Sequence, residues 1–245
     1  MDPNYNLCFI IAHKYVIGYE SYLKTYVDNI NTFYPHSFII IVDNNSDNLH
    51  DIVDNISHHS NILLLINNSN SKYELGAYIY ALNWIIHNKF YNFNYYIFSQ
   101  DTLVLINKYD FNILINNNIT ACSMVEFNEK EMPDLYESFK DYTKNILEQL
   151  ELYNCMDKIT FCWGSNFIIH TTKIEQLFNY IKNIVLTVKR DSEAAERYMA
   201  RIIYELNNHR NFNIDGFLPY YQNKNNCNFN ENKRIYFMKK HQFKQ

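Results

Sequence analysis

The sequence predicts an α/β fold: a twisted, mostly parallel sheet with helices on both faces. Three observations carry this prediction. Short continuous apolar runs recur through the first hundred residues, at Leu7–Ala12, Phe38–Val42, Ile62–Ile66 and Tyr95–Phe98. Stretches with apolar residues every three or four positions separate them. No internal repeat or Pro/Gly-rich linker breaks the alternation. Strands that are apolar on both faces belong in a sheet covered on both sides, and a helix between consecutive strands makes them parallel with right-handed crossovers.

The elements follow in order. LCFIIA (7–12) is the first strand. Tyr19–Phe33 is an amphipathic helix with Tyr22, Tyr26, Ile30 and Phe33 on one side. FIIIV (38–42) is the second strand, Leu49–Ile56 a short helix and ILLLI (62–66) the third strand. Tyr73–His87 is a helix with Leu75, Ile79, Leu82 and Ile86 on one face, and Trp84 is read as core. YYIF (95–98) is the fourth strand. In the second half, Ile119–Val125 reads as a strand and Leu135–Tyr153 as a charged helix. Thr160–His170 is apolar around Trp163-Gly164, the latter read as a loop. Thr171–Ile184 is a helix opened by a capping box, Thr172 with Glu175. Ser192–Leu206 is the last helix. At about 100° per residue, Ala195, Tyr198, Met199, Ile202 and Leu206 form its buried face. Glu193, Arg197 and Arg201 fall on the solvent side as four-apart charges forming surface ion pairs. The expected organisation is one domain over 1–221 and a basic tail over 222–245, where Lys224, Lys233, Arg234, Lys239, Lys240 and Lys244 face a single Glu231.

Composition excludes several classes. With 245 residues, 47% hydrophobic and 20% charged, the chain buries a substantial core and is not disordered throughout. Four Gly and four Pro exclude collagen-like and linker-like chains. A net charge of −4 argues against nucleic acid as a general partner. No apolar run approaches the roughly 18 residues of a membrane span, and Met1–Asn6 is polar, so neither a transmembrane segment nor a secretory signal is expected. That points to the cytoplasm, with peripheral membrane contact as the alternative. Five scattered cysteines without a CxxC pair read as buried thiols in a reducing compartment. Asn is roughly one residue in seven, a bias with Ile, Tyr and Lys toward AT-rich codons, so Asn clusters report genome composition before function.

Ligands of open parallel sheets bind beyond the carboxyl ends of the strands. Those ends read Ala12-His13-Lys14, Asp43-Asn44-Asn45-Ser46-Asp47, Asn67–Ser71 and Ser99-Gln100-Asp101-Thr102. Together they make a polar cleft. No GxGxxG, P-loop, GxSxG or HExxH pattern is present, so a diphosphate in that cleft needs a metal or basic side chains. Asp43 can accept from a base N–H or ribose hydroxyls, with Asn45 and Ser46 adding contacts, or it closes an Asx turn. Trp163 either stacks on a sugar or packs. His58-His59 reads as a surface pair, not a ligand set.

Five segments in order resemble the GT-A glycosyltransferases, in the manner of their family 2, over roughly residues 5–206. FIIIVDNNSDN (38–48) is similar to their second strand and nucleotide loop. NSKYELGAYIYALNWI (70–85) is similar to the next loop and helix. YYIFSQDTLVLI (95–106) resembles the strand carrying the DxD motif, and WGSNFIIHTTKIEQL (163–177) the acceptor-side loop, strand and helix. RDSEAAERYMARIIYEL (190–206) resembles the acidic helix that supplies the base of inverting members.

The resemblance implies transfer of a sugar from a nucleotide-sugar, UDP- or GDP-linked, to a glycan or other hydroxyl acceptor. It implies Asp191 as base with Glu193 or Glu196 in reserve. Donor contacts fall on Ala12, His13, Asp43, Asn45, Ser46, Gly76, Gln100 and Asp101, and acceptor contacts on Trp163 and Gly164. Mn²⁺ or Mg²⁺ would sit on Asp101. The motif here has one carboxylate where two are usual, so His13, Lys14 or a tail segment with Lys239 and His241 would share the diphosphate charge; the alternative for that tail is a solvated, frayed end. The single carboxylate also keeps a catalytically inactive binding or assembly module as the alternative. A nucleotidyltransferase is the weaker rival, because its glycine-rich loop is missing. Resemblance and codon bias together suggest a large DNA virus, with the host cytoplasm as the site of action.

Overall fold

A computed structural model describes residues 6–14, 23–105, 107–111, 114, 118–127, 143–152, 159–209 and 237–239. Six strands form one sheet: β1 (Leu7–His13), β2 (Phe38–Asp43), β3 (Ile62–Ile66), β4 (Tyr95–Gln100), β6 (Ala121–Phe127) and β7 (Ile159–His170). Their order is β3-β2-β1-β4-β7-β6. The first four run parallel, whereas β7 is antiparallel to both β4 and β6. This is a Rossmann-like α/β sheet, mostly parallel, in which strand order reverses beside β1. Two short strands, β5 (Leu103–Leu105) and β8 (Phe237–Lys239), form a separate antiparallel pair.

Alternation along β1 assigns the two faces. Leu7, Phe9 and Ile11 pack with Leu23, Tyr26, Val27 and Ile30 of α1 (Leu23–Phe33) and with Ile52 and Ile56 of α2 (Leu49–Ile56). Cys8, Ile10 and Ala12 pack against α3 (Tyr73–His87) and the helices Ile174–Ile181 and Lys189–Leu206. Residues 143–149 add a further helix over that side. Both faces of the sheet are therefore covered, as the continuous apolar runs require. Cys8, Cys122 and Cys162 are buried free thiols. Cys155, Cys227 and His241 lie outside the described residues. No helix among the described residues is long and apolar enough to cross a membrane.

Several details differ from expectation. On α3 the buried set is Leu75, Gly76, Ala77, Tyr78, Ala81, Leu82 and Ile85, with Ile79, Trp84 and Ile86 only partly covered, because the helix packs by its small residues. Gly76 is required there: a Cβ would stand 2.6 Å from the Ser71 carbonyl oxygen. The expected Thr172–Glu175 capping box is absent. His170 caps a 3₁₀ turn at Thr171–Lys173, accepting from the Thr172 amide, while Glu175 accepts from the Tyr91 hydroxyl at 2.8 Å. The late helix carries no solvent-side Glu193–Arg197 pair. Arg197 is buried, with its guanidinium 4.4 Å over the Phe161 ring; Glu193 faces Lys189, and Arg201 pairs with Glu205 at 2.6 Å. Arg197 is covered because β7 packs against a second side of the helix. In the tail, Phe237–Lys239 pairs with β5 in place of the frayed end expected at that point, with Lys239 opposite Leu103.

Tyrosines fill much of the core. Tyr26, Tyr78, Tyr95 and Tyr96 are wholly buried, and burial raises the pKa of each above its ordinary value. The hydroxyl of Tyr26 donates to Ser99 at 2.8 Å, and that of Tyr96 to the Phe90 carbonyl. A folded tyrosine stays neutral where an unfolded one ionises, so these groups contribute stability in full below the unfolded pKa and lose it as pH rises. The urea midpoint should fall between about pH 9 and pH 11, and the fall should be shallower in Tyr26→Phe; a flat profile would contradict the burial of these hydroxyls.

Candidate functional site

The parallel register of β1 with β2 and β4 places His13 opposite Asp43 and Ala12 opposite Gln100. The backbone carries the pairing one step further: the Asn44 amide donates to the His13 carbonyl at 2.9 Å and the Asp101 amide to the Ala12 carbonyl at 3.0 Å. Beyond these ends lies a cavity of about 330 Å³ lined by Ala12, His13, Lys14, Asn44, Lys72, Tyr73, Glu74, Gln100, Asp101 and Thr102. It sits at the switch in strand order, where open α/β sheets bind their ligands, and its size is that of a small-molecule site.

The wall has a definite hydrogen-bond order. His13 Nδ1 meets Asp101 Oδ2 at 2.7 Å, with the His13 side chain buried and its Nε2 without a protein partner. Lys14 Nζ donates to the carbonyls of Asn44 and Asn45, at 3.1 and 2.5 Å. Glu74 accepts from Gln100 Nε2 and from the Ser192 hydroxyl, each at 2.9 Å. Gln100 Nε2 also donates to the Gly164 carbonyl at 3.0 Å, and the Gly164 amide donates to Glu196 Oε1 at 2.9 Å. One line of contacts thus runs from the late helix through the β7 bulge to the end of β4.

Local backbone serves that line. Between the Cys162–Met124 and Phe167–Cys122 pairs, β7 carries more residues than β6, a bulge over 163–166. Gly164 and Ser165 both have positive φ there, +60° and 52°. Tyr73 is in the same region at φ 60°, uncommon for a bulky residue. Asn44 Nδ2 holds its carbonyl at 2.9 Å, and the neighbouring Lys72 amide is held by the Leu186 carbonyl. Strain imposed from both sides at a cavity wall is a feature of ligand sites.

The sequence-derived residues fall into groups. Ala12, His13, Gln100 and Asp101 line the cavity. Asp43 is buried and turned into its own loop, accepting from the Ser46 amide at 2.7 Å and from the Ser46 hydroxyl, the Asx-turn alternative. Asn45 is exposed with φ 57°. Gly76 is a packing contact one turn inside α3. Gly164 touches Gln100, whereas Trp163 is placed within β7 by its backbone. Asp191 Oδ2 caps the late helix, accepting from the amides of Thr187 and Val188 at 2.8 and 3.1 Å. Glu193 is half exposed near Lys189, and Glu196 holds Gly164. Burial holds the Arg197 pKa down to about 10 against the raising pull of Glu196 and Glu193. Lys72, Tyr73 and Glu74 were not singled out from sequence, although they open the helix that follows β3, at the carboxyl edge.

Both carboxylates of the cavity lining have hydrogen-bond partners. Asp101 is engaged by His13 and Glu74 by Gln100 and Ser192. Among the described residues, the one group of three His, Cys, Asp or Glu atoms drawn together tightly enough for a cation is Asp28, His58 and His59. The His58-His59 pair lies at the surface as expected, with His58 exposed, and α1 brings a carboxylate to it.

No protein-family model and no curated protein matches the sequence. Among solved structures, the chain is similar to the galactosyltransferase LgtC in complex with donor and acceptor sugar analogues. The identity is 10% and the TM-score 0.40, covering 77% of this chain and 69% of that one. At those values the likeness carries no argument about activity.

The bulge is testable at one atom. A Cβ on Gly164 would stand 2.9 Å from both Gln100 Nε2 and Asn166 Nδ2, at a φ that L residues rarely adopt. Gly164→Ala should cost about 1–3 kcal/mol in chemical denaturation and displace Gln100; wild-type stability would show that the bulge does not hold this geometry.

Proposed function

We propose that the chain transfers a sugar from a nucleotide-sugar, UDP- or GDP-linked, to a hydroxyl acceptor, with the donor in the cavity at the ends of β1 and β4. The observation that supports this reading is the lining itself. A recess at the strand-order switch presents two lysines and a buried imidazole, donors that can meet an anionic diphosphate where no glycine-rich loop exists.

In this reading Asp101 positions His13. The 2.7 Å contact fixes the orientation of the imidazole. An ammonium has three N–H donors; Lys14 commits two to the Asn44 and Asn45 carbonyls, and the third serves a phosphate oxygen. Lys72, donating to the Ser69 carbonyl at 2.9 Å, stands at the same edge. The leaving diphosphate is then stabilised by fixed cations of the chain. Mn²⁺ or Mg²⁺ on Asp101 would add Lewis-acid stabilisation, but the segment 99–102 supplies one carboxylate for it, and His13 holds one oxygen of that group.

Asp191, Glu193 and Glu196 are the acids proposed for taking the acceptor proton. Their geometry ranks Glu196 first. It is joined to the cavity wall through Gly164 and Gln100, whereas Asp191 caps the start of the late helix; neither carboxylate is itself in the cavity lining. Trp163 and Gly164 mark the acceptor side, and Lys239, two residues beyond Asp101 through its pairing with Leu103, the donor side. A second reading, a binding module without turnover, is favoured by one observation: both cavity carboxylates are already satisfied by hydrogen bonds.

The experiment is a thermal-shift and calorimetric screen of UDP, GDP, CMP and dTDP and their sugars, with and without Mn²⁺. One nucleotide class should stabilise the protein, by roughly 2.7 kcal/mol at about 100 times Kd. His13→Ala and Asp101→Ala should each weaken it roughly tenfold or more. Slow donor hydrolysis, lost in Glu196→Gln, supports transfer; binding without hydrolysis or transfer supports the module; a folded protein that ignores the whole panel overturns both.

A further inference from the structure

At the opposite rim of the sheet, three side chains from distant parts of the chain converge. Asp28 lies on α1, and His58 and His59 lie in the loop between α2 and β3. His59 Nε2 is 3.1 Å and His58 Nε2 3.6 Å from the same oxygen, Asp28 Oδ1, and the three atoms lie within 4.8 Å of one another. Strands β2 and β3 begin beside this loop, where the Ile39 amide donates to the Asn61 carbonyl, and run away from it toward the cavity. The six residues of β2 put roughly 20 Å between the two places. Whatever this cluster binds does not touch the donor cavity.

We propose that Asp28, His58 and His59 form a binding site for one transition-metal cation, Zn²⁺ by ligand chemistry. Two imidazoles and a carboxylate are borderline ligands that suit Zn²⁺ and exclude a strong preference for Mg²⁺ or Ca²⁺, which take oxygen. The geometry fits as well. Ligands at about 2.0–2.1 Å in a tetrahedron stand about 3.3–3.4 Å apart, and the two distances from Asp28 Oδ1 to the imidazoles, 3.1 and 3.6 Å, bracket that edge. The fourth position falls to water, because the Asp28 and His58 side chains are 38% and 49% exposed.

The surroundings complete the argument. Lys24 Nζ holds the other carboxylate oxygen, Asp28 Oδ2, at 2.5 Å, which leaves Oδ1 turned to the histidines. Partial burial raises the Asp28 pKa, but hydrogen bonds and charge from Lys24 and His59 outweigh it, and the net shift is downward. Behind His59, Asn31 reaches Nδ1 at 3.2 Å, and Asn61 ties Asn31 to the Ser37 carbonyl. Asn31 Nδ2 faces the ring while Asn31 Oδ1 accepts from Asn61; metal on Nε2 would place the ring proton of a neutral His59 on Nδ1, where a carboxylate at position 31 would accept it. The cation would cross-link α1 to the loop that starts β3, independently of any transfer chemistry at the cavity.

The test uses the tag-free full-length protein, ZnCl₂ and a chromophoric zinc indicator in competition. Wild type should take one equivalent and gain in melting temperature. His58→Ala and His59→Ala should each weaken the affinity by roughly tenfold or more, and Asn31→Asp, which offers a carboxylate to Nδ1–H, should tighten it by roughly tenfold. Asp101→Ala should bind Zn²⁺ as wild type does. The proposal is overturned if wild type binds none, if a folded His58→Ala/His59→Ala variant binds as tightly as wild type, or if Asp101→Ala alone abolishes binding.

Discussion

The parallel pairing of β1 on both its edges governs the rest of the molecule. Every residue from Leu7 to His13 is buried, so the strand cannot slip by one position without exchanging its two apolar sets. That register puts Ala12 beside Gln100 and His13 beside Asp43. The cavity wall is therefore a by-product of hydrophobic burial. His13 is carried to the edge by a strand paired on both sides and buried throughout, and the Asp101 contact then sets the direction of its ring.

The other wall is made by breaking a rule. An unbroken β7 would continue its ladder with β6 and leave Gln100 without a partner from that side. The bulge at 163–166 spends two residues in the left-handed region and turns the Gly164 carbonyl to Gln100 and its amide to Glu196. The strand, the late helix and the end of β4 are thereby joined through one glycine. Glu74 extends the same network to Ser192 at the start of that helix.

The two ends of the sheet differ in what they can hold. The carboxyl edge presents cations and satisfied carboxylates, which suits an anion. The amino edge presents two imidazoles and a carboxylate oxygen within reach of one another, which suits a cation. About one strand length separates them, so affinity for the two kinds of ligand can be measured and mutated apart.

Much of the fold was legible in the chain itself. Leu49–Ile56, Ile62–Ile66 and Tyr73–His87 appear with the bounds their periodicity predicts, because burial on two faces or one leaves a local imprint. The carboxyl-edge rule also located His13, Gln100 and Asp101. Local pattern could not show that Arg197 is sandwiched between the late helix and Phe161, that His170 and not Thr172 caps the following turn, or that Asp28 meets a histidine pair about thirty positions away. Each depends on which element lies across from the residue in space. By itself the sequence determined the alternation of strands and helices and the polar edge, since both follow from where apolar side chains recur. Only the tertiary structure decided the antiparallel β7 with its bulge, the burial of Arg197 and the Asp28–His58–His59 convergence, since these arise from contacts between segments whose separation along the chain carries no periodic signal.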